Sequence, residues 1–233
     1  MQKFNVTISK IIRETSDVKT FRLKFNKGVS IGFLPGQFVM VALEKEPKTA
    51  KAYSLASSSC IKEYIEVTVK IYPDGKFSPL LNKANVGDKI IISGPFGHFN
   101  YRKELSNDLV LIFGGTGIAP FRSIINTVID NNWDTRVTLL GCYKKPEDII
   151  YKKELSKWAK KIKIITTITR PETSNIKWEG ITGRISKELI MPYAKDKQNL
   201  YYLCGPTEMV EDLRETLTSL GVEKEKIRFE RWN

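Results

Sequence analysis

Hydrophobic positions in the first hundred residues come in short runs. "FNVTISKII", "VKTFRLKF", "QFVMVAL", "YIEVTVKIY" and "KIIISGPF" are rich in β-branched and aromatic residues, with Gly, Pro, Asp or Asn between them. The opening "MQKFNVTISK" already alternates as a strand does. Several such strands at short spacing predict an antiparallel barrel or sandwich. "DGKFSPLLNKA", from Asp74 to Ala84, predicts the one short helix of this half.

The pattern changes near residue 105. "DLVLIFGG" is a continuous apolar run ending in glycines, as in a strand buried on both faces of a parallel sheet. An amphipathic helix follows over Ala119 to Asn131. Next come a strand "RVTLLGCY", a helix "PEDIIYKKELSKWAK", a strand "IKIITTIT", a short helix near "ISKELI", a strand "LYYLCG", a helix "TEMVEDLRETLTSLG" and a last strand "KIRFERW". This alternation predicts a doubly wound α/β domain with a parallel sheet. The fold expectation is therefore two domains, an antiparallel β-barrel over residues 1–103 and an α/β parallel-sheet domain over 104–233. The join falls between Tyr101 and Asn107.

Composition narrows the function. With 233 residues, 41% hydrophobic and 27% charged, the chain is long enough for a sizeable core. No apolar run approaches the roughly 20 residues needed to span a bilayer, and the N-terminus shows no signal-peptide pattern. The expectation is a cytoplasmic protein. Cys60, Cys142 and Cys204 are far apart, with no CxxC spacing, and supply too few thiolates for a common iron–sulfur or structural zinc site. No metal site is expected. The single histidine, His98, reads as a loop residue, so a Ser–His–Asp triad has little to draw on. The net charge of +12 favours a polyanionic or acidic partner. The lysines are scattered in pairs such as Lys144–Lys145, Lys152–Lys153 and Lys160–Lys161, which also suits a solvated helix face, and no tract is dense enough for a nucleic-acid arm.

Three stretches carry candidate chemistry. "GGTGIAP", Gly114 to Pro120, follows an apolar strand and opens a helix. Gly115 and Gly117 permit a sharp turn and close approach of a ligand, Thr116 lies between them, and Pro120 suits a first helical turn. The free N–H groups and dipole of a helix start favour a pyrophosphate. "LCGPTEMV", Leu203 to Val210, repeats the arrangement with Gly205 and Pro206, and puts Cys204 at a strand end. Taken alone, Cys204 reads more readily as a small buried apolar residue than as a site residue. In "KAYSLASSS", Lys51 can pair with a phosphate, Tyr53 offers a flat face to an aromatic ring, and Ser54 offers a hydroxyl at its edge. The plainer reading is a strand-end loop. In "DGKFSPLL", Gly75 turns the chain, and Phe77 and Ser78 open the short helix as a second candidate phosphate site.

Together these motifs resemble the ferredoxin–NADP+ reductase superfamily of flavoprotein reductases. "KAYSLASS" is similar to its RxYSxxS flavin motif, "TVKIYPDGKFS" to the next flavin-contacting strand and pyrophosphate turn, and "SGPFGHF" to the loop ending the barrel. "GGTGIAP" and "CGPTEMV" resemble its two nicotinamide-nucleotide signatures, and "ITGRI" and "RFERW" resemble the oxygenase-reductase branch. The resemblance covers nearly the whole chain, with the motifs in order. It implies FAD in the barrel domain and NADPH or NADH in the second. By that resemblance Tyr53 stacks on the isoalloxazine and Ser54 lies near its N5. Lys51, Lys76 and the backbone of Gly75, Phe77 and Ser78 serve the pyrophosphate, and Thr68, Val69 and Lys70 line the ring's edge through their backbone. Thr116 and Cys204 flank the nicotinamide, with Gly115, Gly117, Pro120, Gly205 and Pro206 shaping the turns and Met209 packed behind. Tyr53, Ser54 and Cys204 are the implied catalytic residues.

Two positions depart from the family pattern. Lys51 stands where arginine is usual, keeping the charge but losing the two-pronged grip on phosphate. Trp232 is followed by an asparagine, so it either covers the flavin, packs, or stacks on adenine. Thr169–Arg170 matches the family's Ser–Arg position for a 2′-phosphate, with Lys144 and Lys145 as further positive charge, which leans toward NADPH. The implied reaction is hydride transfer between NAD(P)H and FAD, with electrons passed to an acidic carrier such as ferredoxin or flavodoxin. The alternatives are an electron-transfer subunit of a larger hydrogenase or dehydrogenase complex, a free-flavin or quinone reductase, and, most distantly, a basic nucleic-acid-binding module. No nucleic acid and no membrane span is expected, and the oligomeric state is not legible.

Overall fold

The computed structural model describes residues 2–232. The chain divides into two compact units, Met1–Tyr101 with Ala119–Asn132, and Arg102–Ile118 with Trp133–Asn233.

The first unit holds β1 (Lys3–Arg13), β2 (Val18–Lys24), β3 (Phe38–Leu43), β4 (Lys51–Ser54), β5 (Tyr64–Lys70) and β6 (Lys89–Phe96), paired antiparallel in the order β4-β3-β6-β1-β2-β5. The two ends of that order meet. Leu55 bridges Val67, and Ala56 N–H donates to Glu66 O at 2.7 Å, so the sheet nearly closes into a barrel. Alternate residues fill it: Val6 and Ile8, Phe21 and Leu23, Val39 and Val41, Ile65, Val67 and Val69, Ile90 and Ile92 are all buried in one cluster. The same alternation turns Glu66, Thr68 and Lys70 to the outer face of β5.

Two local expectations are corrected. Lys51–Ser54 is itself a strand, paired with β3 through Val39↔Tyr53 and Phe38↔Ser54, rather than a loop at a strand's end. The helix expected over Asp74–Ala84 is only α1 (Ser78–Asn82), because Gly75 N–H donates to Tyr72 O and closes a turn ahead of it. This unit also takes in nearly all of α2 (Ile118–Asp130), whose Phe121 ring lies 6.0 Å from Phe99.

The second unit holds β7 (Asp108–Gly114), β8 (Arg136–Tyr143), β9 (Lys163–Ile168), β10 (Ile181–Thr182), β11 (Leu200–Pro206) and β12 (Ile227–Trp232), all parallel, in the order β10-β9-β8-β7-β11-β12. Between its strands lie α3 (Lys152–Trp158), α4 (Lys187–Ala194) and α5 (Thr207–Ser219). β7 and β11 are buried along nearly their whole length, as their unbroken apolar runs require. Val210, Leu213 and Leu217 of α5 pack with Val110, Ile112 and Leu203 of the sheet. The helix expected over 146–160 is shorter than its apolar pattern. Pro146–Asp148 forms a single tight turn, and Tyr151 takes a left-handed φ of 56°, which a continuing helix cannot include. Strand order reverses between β7 and β11, so the crevice outside their carboxyl ends is where an open α/β sheet takes its ligand. Among the described residues no helix is long and apolar enough to cross a membrane.

Candidate functional site

In the barrel unit, the candidate residues gather where β4 ends and α1 begins. The Tyr53 ring is half-buried, with its centroid 6.0 Å from that of Phe77 and the planes inclined by 38°. Burial, with a smaller contribution from Tyr72, pushes the Tyr53 phenol up to about 12, so the ring is neutral across the physiological range. Ser54 is half-buried, and Lys51 is exposed with no ion-pair partner among the described residues. The turn into α1 is tight. A β-carbon on Gly75 would stand 2.9 Å from Ser78 Oγ and 3.0 Å from Tyr72 O. Ser78 Oγ in turn accepts from Tyr72 N–H at 3.0 Å and donates to Tyr72 O at 3.4 Å, so its hydroxyl holds the turn rather than facing outward. Lys76 is exposed beside it.

On β5, strand pairing toward β4 stops at Val67, while the other edge pairs with β2 through Val18↔Lys70. Val69 points into the barrel core. The Thr68 hydroxyl meets Thr20 Oγ1 at 2.8 Å, and Lys70 pairs with Asp17 at 3.0 Å. Their side chains are thus engaged elsewhere, and a planar ligand at this edge would meet backbone.

The run beyond Ser54 has a structural use. Ser57 Oγ accepts from Glu66 N–H at 3.1 Å, Ser58 Oγ from Cys60 N–H at 3.3 Å, and Ser59 N–H donates to Thr127 Oγ1 of α2 at 3.0 Å. Ser57 and Ser58 are buried.

In the second unit, the two glycine turns meet at the switch point. A β-carbon on Gly117 would lie 2.1 Å from Cys204 O and 3.0 Å from Trp232 Cη2, so only glycine permits this approach. Gly115 takes a φ of +54° with open space around it. Gly205 lies close to Gly114 N, and the Met209 thioether packs against both glycines. Thr116 and Gly117 form a tight turn before α2, with Pro120 in the helix's first turn. Pro206 leads directly into α5, whose Thr207 Oγ1 donates to Trp232 O at 3.4 Å. The Trp232 ring therefore lies over the glycine turn, and not at the ends of β8 and β9.

Cys204 is fully buried, and it shares a ladder rung with Glu230 of β12. Burial first, and the Glu230 charge second, push the Cys204 thiol well above its ordinary value. Burial alone raises the Glu230 carboxyl to about 7, and its Oε2 is buried without a hydrogen-bond partner. Glu230 is the site residue that sequence reasoning missed. Its signal was an acidic residue inside the apolar ending "RFERW", but its place opposite Cys204 is set only by the fold. An orphaned buried carboxylate oxygen is a group a polar ligand would satisfy.

At the ends of β8 and β9 the ladder continues past the strands. Thr169 N–H donates to Tyr143 O at 3.0 Å, and Arg170 N–H to Lys144 O at 2.9 Å. Arg170 and Lys144 are exposed side by side. Glu147 stands near them, where a 2.5 Å bond from Ser174 Oγ lowers its carboxyl from the usual range.

Comparison with known proteins finds two family matches along the chain. Residues 5–101 match the family model described as the oxidoreductase FAD-binding domain, and residues 111–215 that described as the oxidoreductase NAD-binding domain. The chain is 29% identical over 227 residues to the glycine betaine monooxygenase reductase subunit of Chromohalobacter salexigens, covering 94% of this chain but only 61% of that relative's length. It is 31% identical over 235 residues to NADH-cytochrome b5 reductase 1 of Aspergillus terreus, covering 92% of this chain and 78% of the relative. Among solved structures, the ferredoxin reductase in carbazole 1,9a-dioxygenase superposes with a TM-score of 0.88 at 26% identity, covering 100% of this chain and 70% of that one.

Proposed function

The chain belongs to the FAD- and NAD-binding oxidoreductases of the ferredoxin–NADP+ reductase superfamily, and on that premise we propose that it moves reducing equivalents from NAD(P)H through FAD to a separate electron acceptor. Bound FAD would supply the hydride-accepting and electron-releasing chemistry; the protein's part is to hold and insulate the two rings. The observation that carries this reading is the closeness of Gly117 to the Cys204 carbonyl, a cradle that any side chain would fill.

Each residue then has a task. Tyr53 presents a neutral aromatic face, and Ser54 a hydroxyl at the ring edge beside it. The backbone edge of Thr68–Lys70 suits the polar rim of a planar heterocycle, since the side chains there are already bonded. Lys51, Lys76 and the backbone of Gly75, Phe77 and Ser78 bind the FAD pyrophosphate. Gly115, Thr116, Gly117 and the Gly205–Pro206 turn admit the nicotinamide nucleotide, with Pro120 shaping the helix start and Met209 packed behind. Cys204 offers a buried, protonated thiol at the nicotinamide. Glu230, titrating near neutrality, is placed to hold or release a proton at Oε2. Thr169, Arg170, Lys144 and Lys145 form the end where a 2′-phosphate would be met, which favours NADPH. Trp232, whose ring stands against the glycine turn, supports packing at the nicotinamide end over stacking on adenine.

The acceptor we favour is an acidic carrier protein, ferredoxin or flavodoxin, because the chain carries a net charge of +12 and opposite charge speeds encounter. The likeness to a monooxygenase reductase subunit favours a second reading, delivery to an oxygenase component. Anaerobic mixing of the FAD-loaded protein with NADPH and with NADH tests the donor half, and failure of both to bleach the flavin overturns it. Delivery to an acidic carrier must slow steeply as salt rises. A salt-independent rate would exclude that carrier class.

A further inference from the structure

The barrel closes on a buried ion pair that has no part in packing an apolar core. Glu66, on the outer face of β5, is 2% exposed, and Arg122, on α2, is 8% exposed. Arg122 Nη1 donates to Glu66 Oε2 at 2.6 Å and to Ala56 O at 2.8 Å. Glu66 Oε1 accepts from Arg22 Nε at 2.8 Å, and the Arg22 guanidinium lies 4.0 Å over the Tyr64 ring. The backbone of the same glutamate holds the same segment, since its carbonyl accepts from Ala56 N–H and its N–H donates to Ser57 Oγ. Further along α2, Thr127 receives Ser59 N–H, and just past its end Asn131 Nδ2 donates to Cys60 Sγ at 2.9 Å. Arg122, Thr127 and Asn131 thus fasten the segment from Ala56 to Cys60 at three points.

That segment begins two residues after Ser54. β4 is four residues long, and among the described residues its only full strand partner is β3. Its other edge has no ladder until Leu55 and Ala56 reach β5. Tyr53 and Ser54 are held by β3 along one edge, and how Leu55 and Ala56 are held sets how this end of β4 meets β5. A buried ion pair is a poor source of stability compared with an apolar replacement, so its use here is better explained by the geometry it imposes.

We propose that Arg122 and Glu66 are positioning residues for the flavin: by fixing both backbone polar groups of Ala56 they set the pose of Tyr53 and Ser54 against the isoalloxazine. This rests on the reading that Tyr53 and Ser54 contact the flavin. It assigns a flavin-tuning role to α2, the helix that the nucleotide-binding glycine turn opens in the sequence.

The test uses FAD-loaded protein and compares visible circular dichroism of the flavin, limiting rate of flavin reduction at saturating NADPH or NADH, and KM for the nucleotide. Tyr53→Leu serves as the control for the underlying reading. The joint change Arg122→Met with Glu66→Met removes the buried pair and leaves only Arg22, whose side chain is 30% exposed, to be met by water. It is expected to change the flavin dichroism and lower the limiting rate about tenfold, with KM moved by no more than about twofold. Arg122→Lys, which keeps a donor to Ala56 O, is expected to restore part of the rate. Thr127→Val, which releases Ser59 and leaves no buried charge, is expected to shift the dichroism in the same direction, and it stands in if the double variant does not fold. If Tyr53→Leu alters the flavin signal while the folded Arg122 or Thr127 variants lose only thermal stability, the positioning role is overturned and the flavin reading stands. If Tyr53→Leu also leaves the signal unchanged, the flavin reading of β4 fails and takes this proposal with it.

Discussion

Cys204 and Glu230 stand opposite one another in the parallel ladder of β11 and β12, and burial raises the pKa of both. Burial favours the protonated thiol. The carboxyl is pushed up to about 7, while an ordinary glutamate titrates near 4.5. Two groups on one rung thus differ in which one responds to pH.

That difference predicts a pH-dependent stability with a definite sign. The folded state holds the Glu230 proton more tightly than the unfolded chain does. Its contribution is fully present below about pH 4.5 and is lost as pH rises through about 7. The full swing is on the order of 3 kcal/mol. Urea unfolding across that window, with and without Glu230→Gln, checks it. The variant is expected to remove this part of the slope and to be the more stable protein above neutrality. An unchanged slope would mean that Glu230 is not buried as a neutral acid.

Thiol labelling reads the three cysteines separately. Cys60 is exposed, Cys142 intermediate and Cys204 buried. Thiolate reactivity follows exposure and pKa, so iodoacetamide is expected to modify Cys60 first and Cys204 only on unfolding. Peptide mass spectrometry of a time course decides it. Early modification of Cys204 would contradict its placement.

The glycines of the nucleotide turn predict opposite outcomes for the same substitution. Gly117→Ala would place a β-carbon 2.1 Å from Cys204 O and must push β11 and the turn apart. Nucleotide affinity is expected to fall at least about tenfold, since the turn's backbone no longer reaches the ligand. Gly115→Ala meets open space but a φ of +54°, and is expected to cost about 1–2 kcal/mol of stability. Equilibrium titration with NADP+ alongside thermal melts separates the two.

Lys51 offers a gain rather than a loss. Replacing a single ammonium with a planar guanidinium permits two parallel bonds to a phosphate. Lys51→Arg is therefore expected to tighten FAD several-fold, and Lys51→Ala to weaken it about tenfold, in line with one charge-assisted bond. Fluorescence titration of apoprotein with FAD measures both. Equal affinity in all three proteins would remove Lys51 from the pyrophosphate site.

Much of the architecture was legible because it rests on local patterns. The unbroken apolar runs of β7 and β11 and the period-two runs of β1, β2 and β5 announce a parallel and an antiparallel sheet. The glycines at 115, 117 and 205 mark the turns. What was not legible is non-local or small. β4 is four residues with two exposed, so its pattern is indistinguishable from a loop. β10 is two residues. The Tyr151 conformation that shortens α3 has no sequence signal, since tyrosine rarely adopts it. Glu230 beside Cys204, and Glu66 beside Arg122, are contacts between strands or between strand and helix, and only the folded chain brings them together.

Hydride transfer from a nicotinamide nucleotide to bound FAD is the step on which the proposed function turns. The most direct measurement is the anaerobic rate of flavin bleaching by NADPH and by NADH, each compared with its C4-deuterated form. Bleaching by at least one nucleotide, slowed by deuterium at the transferred position, is the predicted result. A protein that binds FAD but is bleached by neither nucleotide would contradict the account.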